Sequence, residues 1–484
     1  MKEEEQQQGL RRSLKARHMN MIAIGGAIGT GLFVAGGETV SSAGPGGALL
    51  AYSLIGIMVY FLMTSLGEMA AYLPVSGSFE TYANRYVDKS LGFALGWNYW
   101  FNWAITVAAE LVAGSLIMKY WFPDVPAAVW SGMFLVILFI LNYLSTRSYG
   151  ESEFIFAGIK VLTVLIFLFA GTCLILGFGP EPSPGFTNWT LGDAPFVGGF
   201  TAMLGIFMVA GFSFQGTEMI GIAAGESEDP EKNIPRAVHS IFWRILLFYL
   251  GSFIIIGFLI PYTDPNLLNT SIENISISPF TLVFQRFGLA AAASLMNAVI
   301  LTAVLSAGNS GLYVSTRMLY AMAETGQAPK CFLKLNKRGV PIHALLATVV
   351  FGFAAFLTSL IGEGKAYDWL VNISGMVGFI TWIGIAICHF RFRRAYIAQG
   401  KDLNDLPYKA TFFPFGPLLA LIMCIIVTAG QNYSAFTGAE IDWYGASVAY
   451  IGIPIFFAVY LYHKYKHHTH IIPLKEVDLS RCKK

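Results

Sequence analysis

The stretch that most constrains the fold of this chain is residues 21–37, an apolar run interrupted by glycine. It reads Met-Ile-Ala-Ile-Gly-Gly-Ala-Ile-Gly-Thr-Gly-Leu-Phe-Val-Ala-Gly-Gly, within apolar sequence long enough to span a bilayer. Its middle is occupied by Gly25, Gly26, Gly29 and Gly31. Each glycine costs a helix roughly 1 kcal/mol relative to alanine. Concentrating that cost at the centre of a span predicts that the helix unwinds there.

These glycines allow two interpretations. Unwound backbone at membrane depth is tolerated only where protein or a cavity covers it. Its free N–H groups attract an anion and its free carbonyl groups attract a cation, which are the two charges of a free amino acid. The other interpretation is a small-residue face that lets two membrane helices pack closely. A dinucleotide-binding loop is excluded because no strand precedes the glycines and no βαβ pattern follows them.

Composition places the chain in a membrane. Of its 484 residues, 55% are hydrophobic and only 12% are charged, whereas soluble domains carry about 25% charged residues. The net charge of +2 excludes a nucleic-acid partner. The five cysteines show neither metal-ligand spacing nor a disulfide framework, so we expect no cofactor and no metal site. The sequence predicts an all-α polytopic membrane protein in contact with the lipid bilayer, without a cleavable signal peptide.

Apolar runs separated by polar loops predict twelve transmembrane helices, flanked by polar tails at 1–18 and 464–484. The predicted spans lie near residues 19–43, 46–72, 93–120, 127–146, 153–178, 197–223, 237–261, 288–322, 343–361, 367–389, 411–430 and 446–463. Because this number is even, both termini are expected on the same side of the membrane.

The charged loops predict which side that is. Loops after the even-numbered spans are basic, at Arg85, Lys89, Arg147, Lys232, Arg236, Lys330, Lys334, Lys337, Arg338, Arg391, Arg393, Arg394, Lys401 and Lys409. The opposite loops carry mostly acids, at Glu181, Asp193, Asp264, Glu273, Glu440 and Asp442. An excess of Lys and Arg marks the cytoplasmic side, so both termini are predicted to be cytoplasmic. The His-rich tail is interpreted as a basic juxtamembrane segment rather than a metal site.

A second span is interrupted five helices after the first. Residues 211–218 read Gly-Phe-Ser-Phe-Gln-Gly-Thr-Glu inside an apolar run. Two interrupted helices at matching positions of two halves are the best sequence indication of a transport site, which favours the unwound interpretation of residues 21–37. Five spans per half make the repeats inverted. We expect one repeat at 19–178, a second at 197–389 and two further helices in 411–463.

Several motifs resemble those of one superfamily. They are Gly-Thr-Gly-Leu-Phe at 29–33, Pro-Val-Ser-Gly-Ser-Phe at 74–79, Phe-Gln-Gly-Thr-Glu at 214–218 and Gly-Glu-Ser-Glu-Asp-Pro-Glu-Lys-Asn-Ile-Pro at 225–235. Together they are similar to the amino acid–polyamine–organocation superfamily over nearly the whole chain. Within it, residues 95–100 and 305–310 resemble bacterial lysine-specific permeases. The resemblance implies a multi-pass amino acid permease of a bacterial inner (plasma) membrane.

Two ionisable residues lie deep in predicted spans, where a charge costs at least about 2.5–3.5 kcal/mol and is a functional candidate. Glu218 follows the second interruption and is a candidate to receive a substrate ammonium group or to carry a proton. Its alternative role is to cap the re-formed half-helix. Lys160 has no acid on adjacent helical turns, and burial favours its neutral form. By resemblance it stands where sodium-coupled relatives hold sodium; the alternative is snorkelling to the interface.

A third intramembrane ionisable residue, Glu110, shares one helical face with Thr106, Trp103 and Tyr99, at spacings of four, seven and eleven residues. That face would offer a carboxylate and two aromatic rings to a cation. The alternative interpretation of the aromatic residues is an interfacial belt.

The resemblance also implies a binding geometry. The substrate carboxylate would meet Thr30 and the N–H group of Gly31. The ammonium group would meet carbonyl groups near Ala27, Phe212 and Gln215, and Phe212 would close over the substrate as a gate. The candidate substrate-binding residues are Ala27, Ile28, Gly29, Thr30, Gly31, Tyr99, Trp103, Glu110, Phe212, Ser213, Gln215 and Glu218, and the candidate proton-coupling residues are Lys160 and Glu218.

The function predicted from these features is secondary active import of a cationic amino acid, L-lysine, by proton symport with alternating access. Two alternatives remain open: an amino-acid exchanger on the same fold, and a transporter that doubles as a lysine sensor for a membrane partner. No catalytic residue set is present, so an enzyme is not expected. The partners expected are lysine, protons and lipid, and the sequence does not indicate which protein partner, if any, the chain has.

Overall fold

The computed structural model describes residues 10, 12–25, 28–33, 36–179, 182–268, 278–286, 288, 292–436 and 441–481. Regular structure in these residues is helical, apart from two isolated bridges that pair Leu14 with Ser227 and Leu335 with Pro341. The all-α prediction agrees with this architecture.

Twenty α-helices follow one another in the described part of the chain. The first half contains α1 (Ala16–Gly25), α2 (Thr30–Phe33), α3 (Gly36–Tyr72), α4 (Phe79–Tyr86), α5 (Lys89–Met118), α6 (Ala127–Leu144) and α7 (Thr146–Ile175). The second contains α8 (Gly199–Phe214), α9 (Met219–Ala223), α10 (Pro230–Arg244), α11 (Gly251–Leu259), α12 (Pro265–Leu268), α13 (Pro279–Arg286), α14 (Ala292–Glu324), α15 (Ile342–Gly352), α16 (Thr358–Ile361) and α17 (Glu363–Ala398). The chain ends with α18 (Phe415–Gly430), α19 (Trp443–Tyr450) and α20 (Gly452–His467). A π-helical turn, Ile245–Leu250, joins α10 to α11.

Within the described ranges, nine helical segments are long and apolar enough to cross a membrane. They are Gly36–Tyr72, Lys89–Met118, Ala127–Leu144, Thr146–Ile175, Gly199–Glu226, Pro230–Leu259, Ser294–Glu324, Ile342–Ile361 and Lys365–Ala398. The chain is therefore a polytopic membrane protein. The other three predicted spans are shorter as helices: the first is interrupted after Gly25, α18 has 16 residues, and the last is divided at Ile451. The number twelve stays a prediction.

The boundary between the first two predicted spans is a kink inside α3. Gly44 has φ 75° and ψ 169°, and Pro45 follows it. The loop before α8 fills this kink, since the N–H groups of Gly46 and Gly47 donate to the Pro195 carbonyl oxygen at 2.9 and 3.2 Å. A Cβ atom at position 44 would lie 2.6 Å from that oxygen, so both the positive φ and the space require glycine.

The most enclosed span is α5, which lies at the centre of the bundle. Of its apolar stretch, 94% is buried, against 28% for α7. It packs mainly against α14 and α17. Side chains along this apolar stretch of α5 therefore face protein.

Candidate functional site

The first span is interrupted where its glycines predict. Helix α1 ends at Gly25 and α2 begins at Thr30, and Ile28 and Gly29 between them belong to no helix. Ile28 is fully buried. Ala27 and the side chain of Thr30 lie outside the described part of the chain. This interruption leaves the last carbonyl groups of α1 without helical partners.

The other interpretation, a small-residue face for close helix packing, holds at Gly31. A Cβ atom built on Gly31 would lie 2.5 Å from the Cα atom and 2.6 Å from the Oγ atom of Ser213. A Cβ atom on Gly29 would only reach Ala307 Cβ at 3.6 Å and Glu110 Oε1 at 3.8 Å. Unwinding and close packing therefore belong to different residues of the same stretch, and the Glu110 carboxyl group faces the interruption.

The second interruption separates α8 from α9. Residues 215–218 are non-helical, and Gly216 has φ 93°. The Gln215 N–H donates to the Phe212 carbonyl oxygen at 3.1 Å, and the Gln215 Nε2 donates to the carbonyl oxygen of Gly375 on α17 at 3.0 Å. Phe212 itself is half-buried. The turn is thus tied to α17 rather than continued as helix.

Ser213, in the last turn of α8, connects this helix to α3 and to the π-helical turn Ile245–Leu250. Its Oγ atom and the hydroxyl group of Tyr52 on α3 are 2.8 Å apart. Its carbonyl oxygen accepts a 2.6 Å hydrogen bond from the hydroxyl group of Tyr249. Together with the contact to Gly31, these bonds fix the end of α8 against the first broken span.

Glu218 is buried in the second interruption, with 2% of its surface exposed. Its Oε2 atom accepts hydrogen bonds from the Gly216 N–H at 3.0 Å and from the Trp382 Nε1 at 3.2 Å. Its Oε1 atom accepts from the Tyr99 hydroxyl at 3.4 Å. The carboxyl group satisfies the unwound backbone two residues before it and does not cap α9. The alternative prediction, that Glu218 caps the re-formed half-helix α9, is therefore wrong. The backbone N–H group that it accepts from is that of Gly216.

The predicted face of α5 is buried along its length. Tyr99, Trp103, Thr106 and Glu110 are all at most 5% exposed. The rings of Tyr99 and Trp103 are edge-on, with centroids 6.3 Å apart. Thr106 Oγ1 lies 2.6 Å from the Oγ atom of Ser374 on α17. An interfacial belt is excluded for Tyr99 and Trp103, because both lie inside the protein.

Lys160 is completely buried on α7, which excludes snorkelling. Its Nζ atom donates to the Ser306 hydroxyl on α14 at 2.9 Å. That hydroxyl donates to both carboxyl oxygens of Glu153, at 2.7 and 2.8 Å, and Lys160 Nζ is 3.8 Å from Glu153 Oε1. Sequence reasoning missed Glu153 as a partner because it lies two turns away on the same helix. The sequence feature that could have indicated Ser306 is its position in the 305–310 motif.

Arg244, at the end of α10, is the functional candidate that sequence reasoning missed. It is 1% exposed, and its Nη1 atom donates to the Ala23 carbonyl oxygen at 2.6 Å. This bond satisfies a carbonyl group in the last turn of α1, where a cation is favourable. Within the described residues its Nε and Nη2 atoms have no hydrogen-bond partner. It also interacts electrostatically with Glu218 and with Lys160. The sequence feature that could have indicated Arg244 is its position as a single arginine inside an apolar span.

Comparisons with known proteins agree with this architecture. Residues 18–474 match the family model described as amino acid permease. The lysine-specific permease LysP of Escherichia coli (strain K12) is 61% identical over 98% of this chain and 97% of its own length. LysP of Lactococcus lactis subsp. cremoris (strain MG1363) is 54% identical over 98% of this chain and 94% of its own. The histidine permease HisP of the same strain is 52% identical over 99% of this chain and all of its own.

Proposed function

Because the chain belongs to the amino acid permease family, we propose that it is a secondary active transporter that imports a cationic amino acid, L-lysine, together with protons. Lysine as the substrate is supported by the two lysine-specific permeases, at 61% and 54% identity. The three relatives above are named permeases, consistent with a transporter rather than an enzyme.

The observation that carries the cationic substrate is the charge around the two interruptions. Three buried carboxyl groups, Glu110, Glu153 and Glu218, accompany two buried cations, Lys160 and Arg244. By formal charge this cluster has a net charge of −1. An uncompensated charge in a low-dielectric interior is costly, and lysine with its net charge of +1 neutralises the cluster. Neutral histidine does not, so histidine is the informative competitor, given the relative HisP.

In the proposed complex the substrate backbone lies between the interruptions. Its carboxylate accepts hydrogen bonds from the backbone N–H groups at Thr30 and Gly31, and its α-ammonium group donates to carbonyl groups near Ala27, Phe212 and Gln215. The Phe212 carbonyl oxygen, which already accepts from Gln215, keeps a second lone pair for this contact. Phe212 then closes over the substrate as the gate.

The ammonium group of the lysine side chain is received by Glu218 or Glu110. Both carboxyl groups are buried, and the rings of Tyr99 and Trp103 lie on the same α5 face as Glu110. An ammonium group near these rings gains cation–π attraction of about 0.5–2 kcal/mol. Tyr99 also donates to Glu218, so this ring and this carboxyl group lie side by side.

For coupling we propose Lys160 and Glu218 as the groups that bind and release protons. Lys160 lies between α7 and α14, where its bond to Ser306 and its ion pair with Glu153 depend on its charge. Loss of the Lys160 proton would weaken both and change the fit between these helices. Alternating access would then be the rocking of two inverted five-helix repeats, with twelve spans and both termini in the cytoplasm of a bacterial cell.

Two alternatives keep the same site. An exchanger would move lysine only against an amino acid inside, and a sensor would in addition change its contacts with a membrane partner when lysine binds. Membership of the family and similarity to these relatives fit the symporter, the exchanger and the sensor equally well. The gradient that drives transport must therefore be measured.

The test is uptake of labelled lysine by the purified protein in liposomes. We expect accumulation with an acidic outside and no sodium, and stronger competition by unlabelled lysine than by histidine. Accumulation with a sodium gradient only would contradict proton coupling. Uptake that requires internal amino acid would select the exchanger, and preferential competition by histidine would overturn lysine as the substrate.

A further inference from the structure

An apolar groove runs along the outside of α5, between this helix and the end of the chain. Its inner part has a volume of about 300 Å³ and is lined by residues that include Trp97, Phe101, Ile373, Met376, Gly452 and Ile455. Its outer part is lined by Phe93, Trp97, Ala458, Val459 and Tyr462. Because both parts share Trp97 and Val459, they form one continuous depression, here called the α5–α20 groove.

The length of the groove corresponds to one leaflet of a bilayer. Along α20 it extends from Gly452 to Tyr462. Ten residues of helix rise about 15 Å, which is half of the roughly 30 Å hydrocarbon core. The surface beside it is apolar and exposed, with Phe457 at 54% and Leu461 at 44% exposure. One acyl chain of a lipid therefore fits the groove by length and chemistry.

The outer end of the groove carries a cation. The Lys466 Nζ atom lies 3.3 Å from the Tyr462 hydroxyl oxygen and 5.5 Å from the centre of its ring. On the other side, the His463 ring stacks on Phe93 at 4.3 Å and on His467 at 4.3 Å. In the part of the chain that the structure describes, Lys466 forms no ion pair within 4.0 Å, whereas the neighbouring Lys464 is 3.7 Å from Asp88.

A polar group is also available along the groove wall. The indole Nε1 atom of Trp97 is buried and has no hydrogen-bond partner among the described residues. Tryptophan N–H groups near a membrane interface usually find an acceptor. By contrast, the Asn98 amide next to it already donates to the Val377 carbonyl oxygen at 2.9 Å. Within the described part of the chain, Trp97 therefore holds an unpaired hydrogen-bond donor beside the groove.

We propose that the α5–α20 groove binds one anionic phospholipid, with an acyl chain against Trp97 and Ile455 and its phosphate at Lys466. Charge complementarity selects an anionic headgroup, since basic sites between membrane helices attract such lipids. The leaflet is the one that faces the C-terminal end of α20. The site is distinct from the two interruptions and does not rest on the proposed substrate.

The experiment is native mass spectrometry of the full chain in detergent, titrated with phosphatidylglycerol or phosphatidylcholine of identical acyl chains. We expect one phosphatidylglycerol to bind at least fivefold more tightly than phosphatidylcholine. Lys466→Gln should reduce that preference below twofold, and Ala458→Phe should weaken both lipids at least fivefold by filling the exposed groove. The matched controls are Lys475→Gln, an exposed lysine of the tail, and Leu461→Phe, an exposed residue of α20 outside the groove.

Three results would overturn the proposal. The first is equal binding of the two lipids by the wild-type chain. The second is loss of the preference in the Lys475→Gln control as well, because the charge of the whole tail would then attract lipid without a site. The third is a dimer that Ala458→Phe separates while lipid binding is unchanged, because a second copy of the chain would then occupy the groove.

Discussion

The backbones of Gly31 and Ser213 touch, since a Cβ atom on Gly31 would lie 2.5 Å from the Cα atom of Ser213. Real Cβ atoms essentially never approach backbone so closely, so the two broken spans pack through this glycine. Gly29 has no such neighbour, because its nearest contacts would be at 3.6 and 3.8 Å. The two glycines should therefore respond differently to an added side chain.

Gly29→Val is expected to weaken lysine binding at least tenfold, about 1.4 kcal/mol, with little change in thermal stability. Its Cβ atom meets ordinary contacts, but in the proposed complex it would stand where the substrate carboxylate approaches backbone N–H groups. Gly31→Val is the comparison and should lower both binding and the unfolding temperature. Binding of labelled lysine and thermal unfolding in detergent measure the two effects. Normal lysine affinity in Gly29→Val would remove the first interruption from the binding site.

The interruptions were predictable because their cause is local. Glycine lowers helix propensity wherever it occurs, so Gly25 to Gly31 and the 211–218 stretch indicate where helices end without any knowledge of their neighbours. The same holds for the burial of Glu110 and Glu218, since an acid inside an apolar span has to find protein rather than lipid.

The partners of these residues were not predictable, because they come from distant parts of the chain. Ser306 meets Lys160 from 146 residues away, Trp382 meets Glu218 from 164, and Arg244 meets Ala23 from 221. No single-sequence pattern gives the packing of α7 on α14 or of α10 on α1. The predicted boundary between the first two spans does fall at Gly44 and Pro45, but only the structure shows that the helix α3 continues across it as a kink.

Glu218→Gln is expected to abolish or severely weaken lysine uptake while the protein still folds. Glutamine keeps an acceptor for the Trp382 indole and the Gly216 N–H, so the backbone of the interruption remains satisfied. It loses the charge that we propose receives an ammonium group or a proton. Glu228→Gln, at an exposed position after α9, is the control. Near-wild-type uptake in liposomes by Glu218→Gln would exclude this residue from the mechanism.

Glu80 on α4, the short helix between α3 and α5, predicts a pH dependence of stability. It is fully buried and accepts hydrogen bonds from Asn84 Nδ2 at 2.5 Å and from the Thr325 hydroxyl at 3.0 Å. Burial, which disfavours the charged form, raises the pKa of this carboxyl group from 4.5 to about 7, although its hydrogen bonds oppose the rise. Between these values the folded protein binds the proton more tightly than the unfolded chain.

The free energy of unfolding should therefore fall as pH rises from about 4.5 to about 7, by on the order of 3 kcal/mol for this group. The full contribution is present below the unfolded pKa and is lost as pH passes the folded pKa. Glu80→Gln, which stays neutral, should remove this component. Thermal unfolding of both proteins from pH 5 to pH 8 measures it. An identical pH profile for wild type and variant would show that Glu80 does not titrate in this range.

Lys160 and Glu153 form a buried ion pair through Ser306, so removing one partner should cost more stability than removing both. Lys160→Ala leaves the Glu153 carboxylate buried without its cation, and breaking a buried pair in this way costs about 3–5 kcal/mol. Lys160→Met combined with Glu153→Gln removes both charges and should recover much of that stability. Thermal unfolding of the two variants shows which of them is stable enough for transport measurements.

In the double variant, lysine binding should remain within about threefold of wild type, whereas accumulation driven by an imposed pH gradient should be lost. The reason is that neither group can then change charge between outward- and inward-facing states, so protons no longer bias one state. Ser306→Ala keeps both charges and removes only the bridging hydroxyl group, so it should slow uptake yet leave it dependent on pH. Proteoliposomes with an acidic outside and no sodium separate the two outcomes. If the double variant still accumulates lysine, the coupling proton does not use Lys160, and Glu218 becomes the group to examine.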